Sequence, residues 1–380
     1  MIVISQFCCT SLWFASNAIM GDLVETFGLA LTATGVLTAA IQFGFILGTL
    51  VFAVMMIADR FSPSKVFYFC AVIGATCNAL IVWHGHGLAS LMFLRFLTGF
   101  SLAGIYPVGM KIASDYYQEG LGKSLGFLVG ALVLGTAFPH LLKGIIDPSL
   151  WKLVILATSS IALIGGTLMI IYIPDGPYRL PAKQLEISAF IKVFHNQKFR
   201  AAAFGYFGHM WELYTFWAFV PILLKTYSQL HANIVLDIPT LSFLIIAIGG
   251  VGCVIAAYIS RYFGVKKTAT LALALSCLCC IVCPFIFMTT SEILFIAFLM
   301  FWGLVVIADS PLFSTLVAHN AEPKLKGTAL TIVNCIGYSI TIISILLLTS
   351  IHQLTNSKFI YMVLAIGPII GIIALIRAPK

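Results

Sequence analysis

Three charged side chains stand in the middle of long apolar runs: Arg95, Glu212 and Asp309. At the centre of a membrane helix each costs about 2.5–3.5 kcal/mol on insertion scales, so each asks for a partner or a task. A carboxyl group alternately shielded from and opened to water can take up a proton in one setting and release it in the other, which suits Glu212 or Asp309. Arg95 would oppose that uptake when close and permit it when distant. The plainer alternative is a buried structural ion pair between Arg95 and an acid. His209 precedes Glu212 by three residues and shares its helical face. The two read as a proton relay, or as half of a divalent-metal site that Asp309 would complete. The third reading is a histidine bonded to its neighbours in a packed bundle. One His/Glu pair falls short of a ligand set, so neither a metal nor a cofactor is expected.

The same runs carry lesser candidates. Trp13, Ser11 and Asn17 lie in the first, Tyr106 in the fourth, Tyr214 and Trp217 in the seventh and Ser310 in the tenth. Aromatic faces with a few directed polar groups can recognise an organic solute, and each residue can equally serve as interhelical packing. Gln42, Asn78, Asn334 and Tyr338 fall in other runs and read as structural. Cys277, Cys279, Cys280 and Cys283 crowd one apolar run and read as small packing residues rather than a metal motif. His84-Gly85-His86 reads as an exposed turn.

The elements that must position these residues follow from composition. Hydrophobic residues make up 61% of the 380 and charged residues 9%, with a mean hydropathy of +1.07. A soluble surface needs about 25% charged residues, so the chain is a polytopic membrane protein. The apolar residues run continuously rather than alternating, which excludes a β-barrel. We count twelve runs, at about 2–18, 31–57, 66–83, 88–108, 125–142, 150–173, 201–224, 241–259, 269–288, 293–317, 329–348 and 359–376. The expected fold is all-α with twelve transmembrane helices.

Polar sequence from Pro174 to about Arg200 interrupts this rhythm. It gives a six-helix bundle over 1–173, a linker over 174–198 and a second bundle over 199–380. Within the linker, Leu185, Ala189, Phe190 and Val193 recur at helical spacing, as in a short helix lying on the membrane surface. With both termini cytoplasmic, sixteen of the 21 Lys and Arg fall in inner loops and tail. Lys143, Lys152, Lys225 and Lys358 fall outside and Arg95 lies within a span. That is the positive-inside pattern. It accounts for the net charge of +8 without a nucleic-acid partner. The first run lacks a basic n-region and reads as a retained span. The absence of any Asn-x-Ser/Thr sequon favours a bacterial inner membrane.

The halves repeat one another. Gly99 precedes Pro107 by eight residues and Gly303 precedes Pro311 by eight, an offset of 204. Gly48 lies eleven before Asp59-Arg60-Phe61, and Gly249 eleven before Ser260-Arg261-Tyr262, an offset of 201. Parallel six-helix repeats are one architecture of secondary transporters. On these residues the whole chain resembles the major facilitator superfamily. Asp59-Arg60 with Lys65 resembles the family's loop between helices 2 and 3, although Met55 and Ser62 replace the usual glycines. Arg95-x3-Gly99-x4-Gly104 resembles its helix-4 motif. Gly126, Gly130, Gly135 and Pro139 echo the antiporter motif without its Gly-Pro step. The run from Gly208 to Tyr214 with Trp217 looks like a subgroup of the family.

The resemblance implies two bundles related by a pseudo-two-fold axis and a central cavity lined by helices 1, 4, 7 and 10, where all three buried charges fall. It links the helix-4 arginine to proton coupling. It makes Asp59, Arg60 and Lys65 a conformational latch, with the second copy, which lacks the aspartate, mainly a topology signal. The expected protein is a monomeric secondary transporter in a lipid bilayer, moving a small polar or ionic organic solute with protons by alternating access. An exporter of drugs or a siderophore-like metabolite stands second. An intramembrane enzyme is remote, because no nucleophile, zinc-helix or phosphate-loop motif occurs.

Overall fold

In a bilayer, a backbone can satisfy its own polar groups only as helices or as a closed barrel, and the long apolar runs here take the first course. The computed structural model describes residues 1–30, 32–116, 121–179, 193–322, 325–355 and 357–378, with backbone alone at 121–125. Among these residues there are helices and no strands. Two units, Met1–Gln184 and Leu185–Lys380, each hold six membrane segments.

In unit 1 the first segment comprises α1 (Ile2–Thr10), α2 (Ala15–Ala18) and α3 (Met20–Phe27). The second is α4 (Ala33–Val54) with the short α5 (Ile57–Arg60), and the third is α6 (Pro63–Leu80). The fourth is α7 (Leu88–Ala103) with α8 (Tyr106–Tyr116), the fifth α9 (Leu121–Ile145) and the sixth α10 (Trp151–Tyr172). Unit 2 holds α11 (Gln197–Leu230), α12 (Ile238–Phe263) and α13 (Val265–Ile286). Then come α14 (Glu292–Val306) with α15 (Ser310–Asn320), α16 (Lys326–Leu354) and a last segment ending in α17 (Ile366–Arg377). The surface helix expected over 185–193 lies almost wholly outside the described residues; Val193 begins a 3-10 turn, Val193–His195.

Among the described residues nine helical stretches are long and apolar enough to cross a membrane. The other three segments depart for visible reasons. The first is broken, α6 is only 18 residues long and includes Ser64, Lys65 and Asn78, and α11 carries His209 and Glu212. The first run also differs from expectation. It breaks at 11–14 and continues to Phe27, where Gly28 caps it in the left-handed region (φ 59°).

The repeat is a packing device. A Cβ on Gly99 would run into the Ile41 carbonyl, and one on Gly303 into the Ile245 carbonyl, so both glycines let two helix backbones touch. Both members of this contact are offset by 204. Gly48 approaches the Phe100 carbonyl as Gly252 approaches that of Leu304, again at 204. The counterpart of Gly48 is therefore Gly252 rather than Gly249. The three-residue difference arises past α4, where Met56 adopts a left-handed conformation (φ 51°) and separates α5 from the helix above, whereas α12 runs unbroken to Phe263. Pro107 and Pro311 each sit at the start of a second half-helix, where a missing N–H costs nothing, so the fourth and tenth segments turn at matching places.

Candidate functional site

Arg95, on α7, is 1% exposed. The break in the first segment frees backbone carbonyls from the helical ladder, and Arg95 takes two of them: Nη1 donates to Leu12 O at 3.1 Å and Nη2 donates to Trp13 O. Nη1 also reaches Asn78 Oδ1 at 3.3 Å. Asn78 in turn donates to Thr158 Oγ1 (3.2 Å) and Ser159 Oγ (3.0 Å) on α10. The forked guanidinium thus stitches a helix break to the bundle, a task for which a rigid multi-donor cation is suited. Among the described residues it pairs with no acid, so the ion pair considered from sequence is absent and its partners are neutral dipoles.

His209 and Glu212 are both 1% exposed, yet they serve different neighbours. His209 Nδ1 lies 2.7 Å from Asp309 Oδ1, across α11 and the turn that joins α14 to α15. Asp309 occupies the N-cap position of α15 without capping it, which leaves its carboxylate for the histidine. Asp309 Oδ2 and His209 Nε2 are buried without a hydrogen-bond partner among the described residues. Glu212 is spent: Trp302 Nε1 donates to Oε1 at 2.6 Å and Ser276 Oγ donates to Oε2 at 2.8 Å. A carboxylate held by an indole N–H and a hydroxyl is a bonded strut between α11, α13 and α14.

Around them lie the aromatic candidates. Tyr214 shares a 2.8 Å hydrogen bond with Tyr338, and its ring stands 5.3 Å from both Tyr338 and Trp217. Tyr206 and Phe313 flank the His209 ring at 5.9 and 6.3 Å. Trp13 and Trp217 are fully buried, whereas Tyr106 and Ser310 are half-buried at the starts of α8 and α15. Asn17 donates to Thr38 Oγ1 at 2.8 Å, tying α2 to α4.

Sequence reasoning overlooked Gln6 and assigned Gln42 to structure. Both are completely buried, and no atom of either amide is bonded among the described residues. Unspent amides in an apolar interior are costly, and a uniform apolar pattern gives no hint of which amide lacks a partner.

The expected latch loop engages more than its own residues. Asp59 pairs with Lys111 (2.9 Å), which also approaches Asp115 (3.6 Å) on α8. Arg179 donates to the carbonyls of Asp59 and Phe61, both at 2.7 Å, and pairs with Asp175 at 2.8 Å; Ser62 donates to Asp175 at 2.6 Å. Arg60 and Lys65 are exposed and make no ion pair among the described residues. Lys111 and Arg179 count in the sequence only toward the basic inner face. In unit 2, Arg261 lies over the Tyr258 ring at 5.2 Å, with no aspartate beside it. Asp147, in a loop, has its carboxyl held below the usual range by hydrogen bonds from the Ser149 hydroxyl and N–H.

No group of three His, Cys, Asp or Glu that could hold a metal occurs among the described residues. His84 and His86 in their exposed turn contact Lys152 and Ser90 respectively. All ten cysteines are buried and free.

The profile of the Major Facilitator Superfamily matches residues 2–345. Compared with curated proteins by sequence, the chain matches none. Among solved structures it is similar to the inward-open xylose transporter XylE from E. coli (TM-score 0.78, 13% identity, 100% of this chain and 96% of that one). It is similar to a mutant of the nucleoside transporter NupG (0.76, 12%, 100% and 99%). A bacterial homolog of the human lysosomal transporter Spinster also matches (0.68, 13%, 99% and 94%). At such identities the likeness speaks for the fold, and the family profile, spanning nearly the whole chain, speaks for membership. The twelve segments, the matched glycine contacts and the profile agree: this chain is a transporter of the Major Facilitator Superfamily, not an enzyme.

Proposed function

We propose that the protein moves a small polar or ionic organic solute by alternating access, driven by protons, and that the His209–Asp309 pair carries the proton. The supporting observation is that, among the described residues of unit 2, this buried pair keeps atoms without a hydrogen-bond partner, whereas each Glu212 oxygen accepts a hydrogen bond. A neutral imidazole beside a carboxylate carries one net negative charge. Adding a proton makes the pair neutral. Burying net charge is expensive, so closure away from water favours the loaded form and opening to water favours release.

Within unit 2, Tyr214, Trp217 and Tyr338 group aromatic faces of the kind that recognise an organic solute. The named substrates of two similar structures, a nucleoside and a xylose transporter, fit that class. Arg95 acts by holding the broken first segment in shape, and Asp59, with Lys111 and Arg179, works as the latch that Arg60 and Lys65 assist. The basic loops face the cytoplasm of a bacterial inner membrane, the two six-helix bundles are joined by the 174–198 linker, and the protein works as a monomer.

The test is uptake into proteoliposomes of nucleosides, pentoses and amino acids under an imposed pH gradient. One class should accumulate above its equilibrium level and collapse with uncoupler. Transport indifferent to both gradient and uncoupler overturns the coupling.

A further inference from the structure

Unit 2 has an unused cavity at the end where its lysines and arginines collect. It measures about 190 Å³ and lies where α11, α13, α15 and α17 meet. Its lining combines apolar Ala201, Ala202, Leu316 and Leu375 with the polar side chains of Lys198, Lys266 and Asn320. Sites for whole organic solutes run to about 300–1,000 Å³, so this space suits a head group rather than the cargo. Lys198 also stands eleven residues before His209 on one helix, about 16 Å away along its axis, which separates the cavity from the transport site.

Its chemistry is that of an anion receptor. Neither lysine has an ion-pair partner among the described residues, and Lys266 Nζ merely leans on the Ala378 carbonyl at 3.5 Å. Both lysines stand in the first turn of a helix, where the backbone dipole already disfavours a cation. An anion between them relieves both. Asn196 caps α11, but α13 has Gly264 (φ 85°) at its N-cap position with no side-chain cap, so its first N–H groups remain to be satisfied. Tyr262 (82%) and Phe263 (68%), just before α13, and Ile376 (72%), next to Leu375, are exposed apolar side chains, as is usual at the head-group level of a bilayer. Basic pockets between membrane helices bind anionic lipid heads by this combination of charge and apolar lining. We infer that this cavity binds the phosphate of an anionic phospholipid, with Lys198 and Lys266 as its ligands.

Native mass spectrometry of the full-length protein, loaded with phosphatidylglycerol, phosphatidylcholine or inorganic phosphate, tests this. The wild type should retain phosphatidylglycerol adducts that phosphatidylcholine does not give. Lys198→Gln/Lys266→Gln should bind roughly tenfold less, while Lys152→Gln, a lysine remote in sequence, should bind as the wild type does. Leu316→Trp, which fills the cavity and keeps both charges, should lose the adduct too. Equal retention of both lipids, or undiminished phosphatidylglycerol on the double variant, overturns the site. Occupancy and thermal protection by inorganic phosphate alone overturns the lipid assignment in favour of a soluble phosphate.

Discussion

His209 Nδ1 lies 2.7 Å from Asp309 Oδ1, and both side chains are 1% exposed. One hundred residues apart, they meet because α11 crosses the turn between α14 and α15. The partner of His209 is thus an acid from another segment, not Glu212 one turn along its own helix.

Breaking this pair separates coupling from transport. Asp309→Asn keeps the shape while removing the ionisable carboxyl, so gradient-driven accumulation should fall at least about tenfold while solute counterflow persists. Asp309→Ala and His209→Ala strand a buried partner and should destabilise by about 3–5 kcal/mol, read by thermal unfolding. Unchanged accumulation in Asp309→Asn would remove the pair from the mechanism.

Arg95 should behave as a structural cation. Its charge-assisted bonds are worth about 1.5–3 kcal/mol each, so Arg95→Ala should unfold several kcal/mol more easily and expose the first segment to proteolysis near 11–14. Arg95→Lys should not rescue it, because one ammonium cannot span the Leu12, Trp13 and Asn78 acceptors. Full rescue by lysine would contradict the stitching role.

Glu212 should tolerate an amide better than a deletion. In Glu212→Gln the side-chain oxygen still accepts from Trp302 and Ser276 can reverse its hydroxyl, so most proton-driven uptake should survive. Glu212→Ala leaves both groups unpaired and should cost about 2–4 kcal/mol of stability. If Glu212→Gln abolishes accumulation with normal folding, the proton site includes Glu212.

At the loop between α5 and α6, Asp59 and Lys111 should show a coupling of about 0.5–1 kcal/mol in a double-mutant cycle, modest because both are about a quarter exposed. Arg179→Ala should perturb transport as strongly as Asp59→Asn, since it holds the loop carbonyls. Arg261→Ala, which loses only a ring contact, should be nearly silent. Equal loss at Arg261 counts against the asymmetry of the two loops.

Gly99→Ala and Gly303→Ala should each cost about 1–3 kcal/mol through forced separation of helix backbones, measured by thermal unfolding. Gly126→Ala and Gly130→Ala, where an added Cβ meets nothing, should be neutral or stabilising. A neutral Gly303→Ala would undo the packing account of the repeat.

Class, number of segments and the positions of the buried charges are legible in the residues alone. A bilayer taxes every charge and every unpaired backbone group, so composition, apolar length and the three exceptions are readable one residue at a time. The Gly-x7-Pro repeat was legible for the same reason, since glycine and proline act on the local backbone. What each charge touches was not. Arg95 finds carbonyls more than eighty residues away, freed by a helix break that no apolar pattern announces. Glu212 finds Trp302, and Asp309 is left for His209. Those choices depend on which helix faces meet. Packing among segments distant in sequence fixes that, and only the tertiary structure decides which buried charge is already spent and which remains free to work.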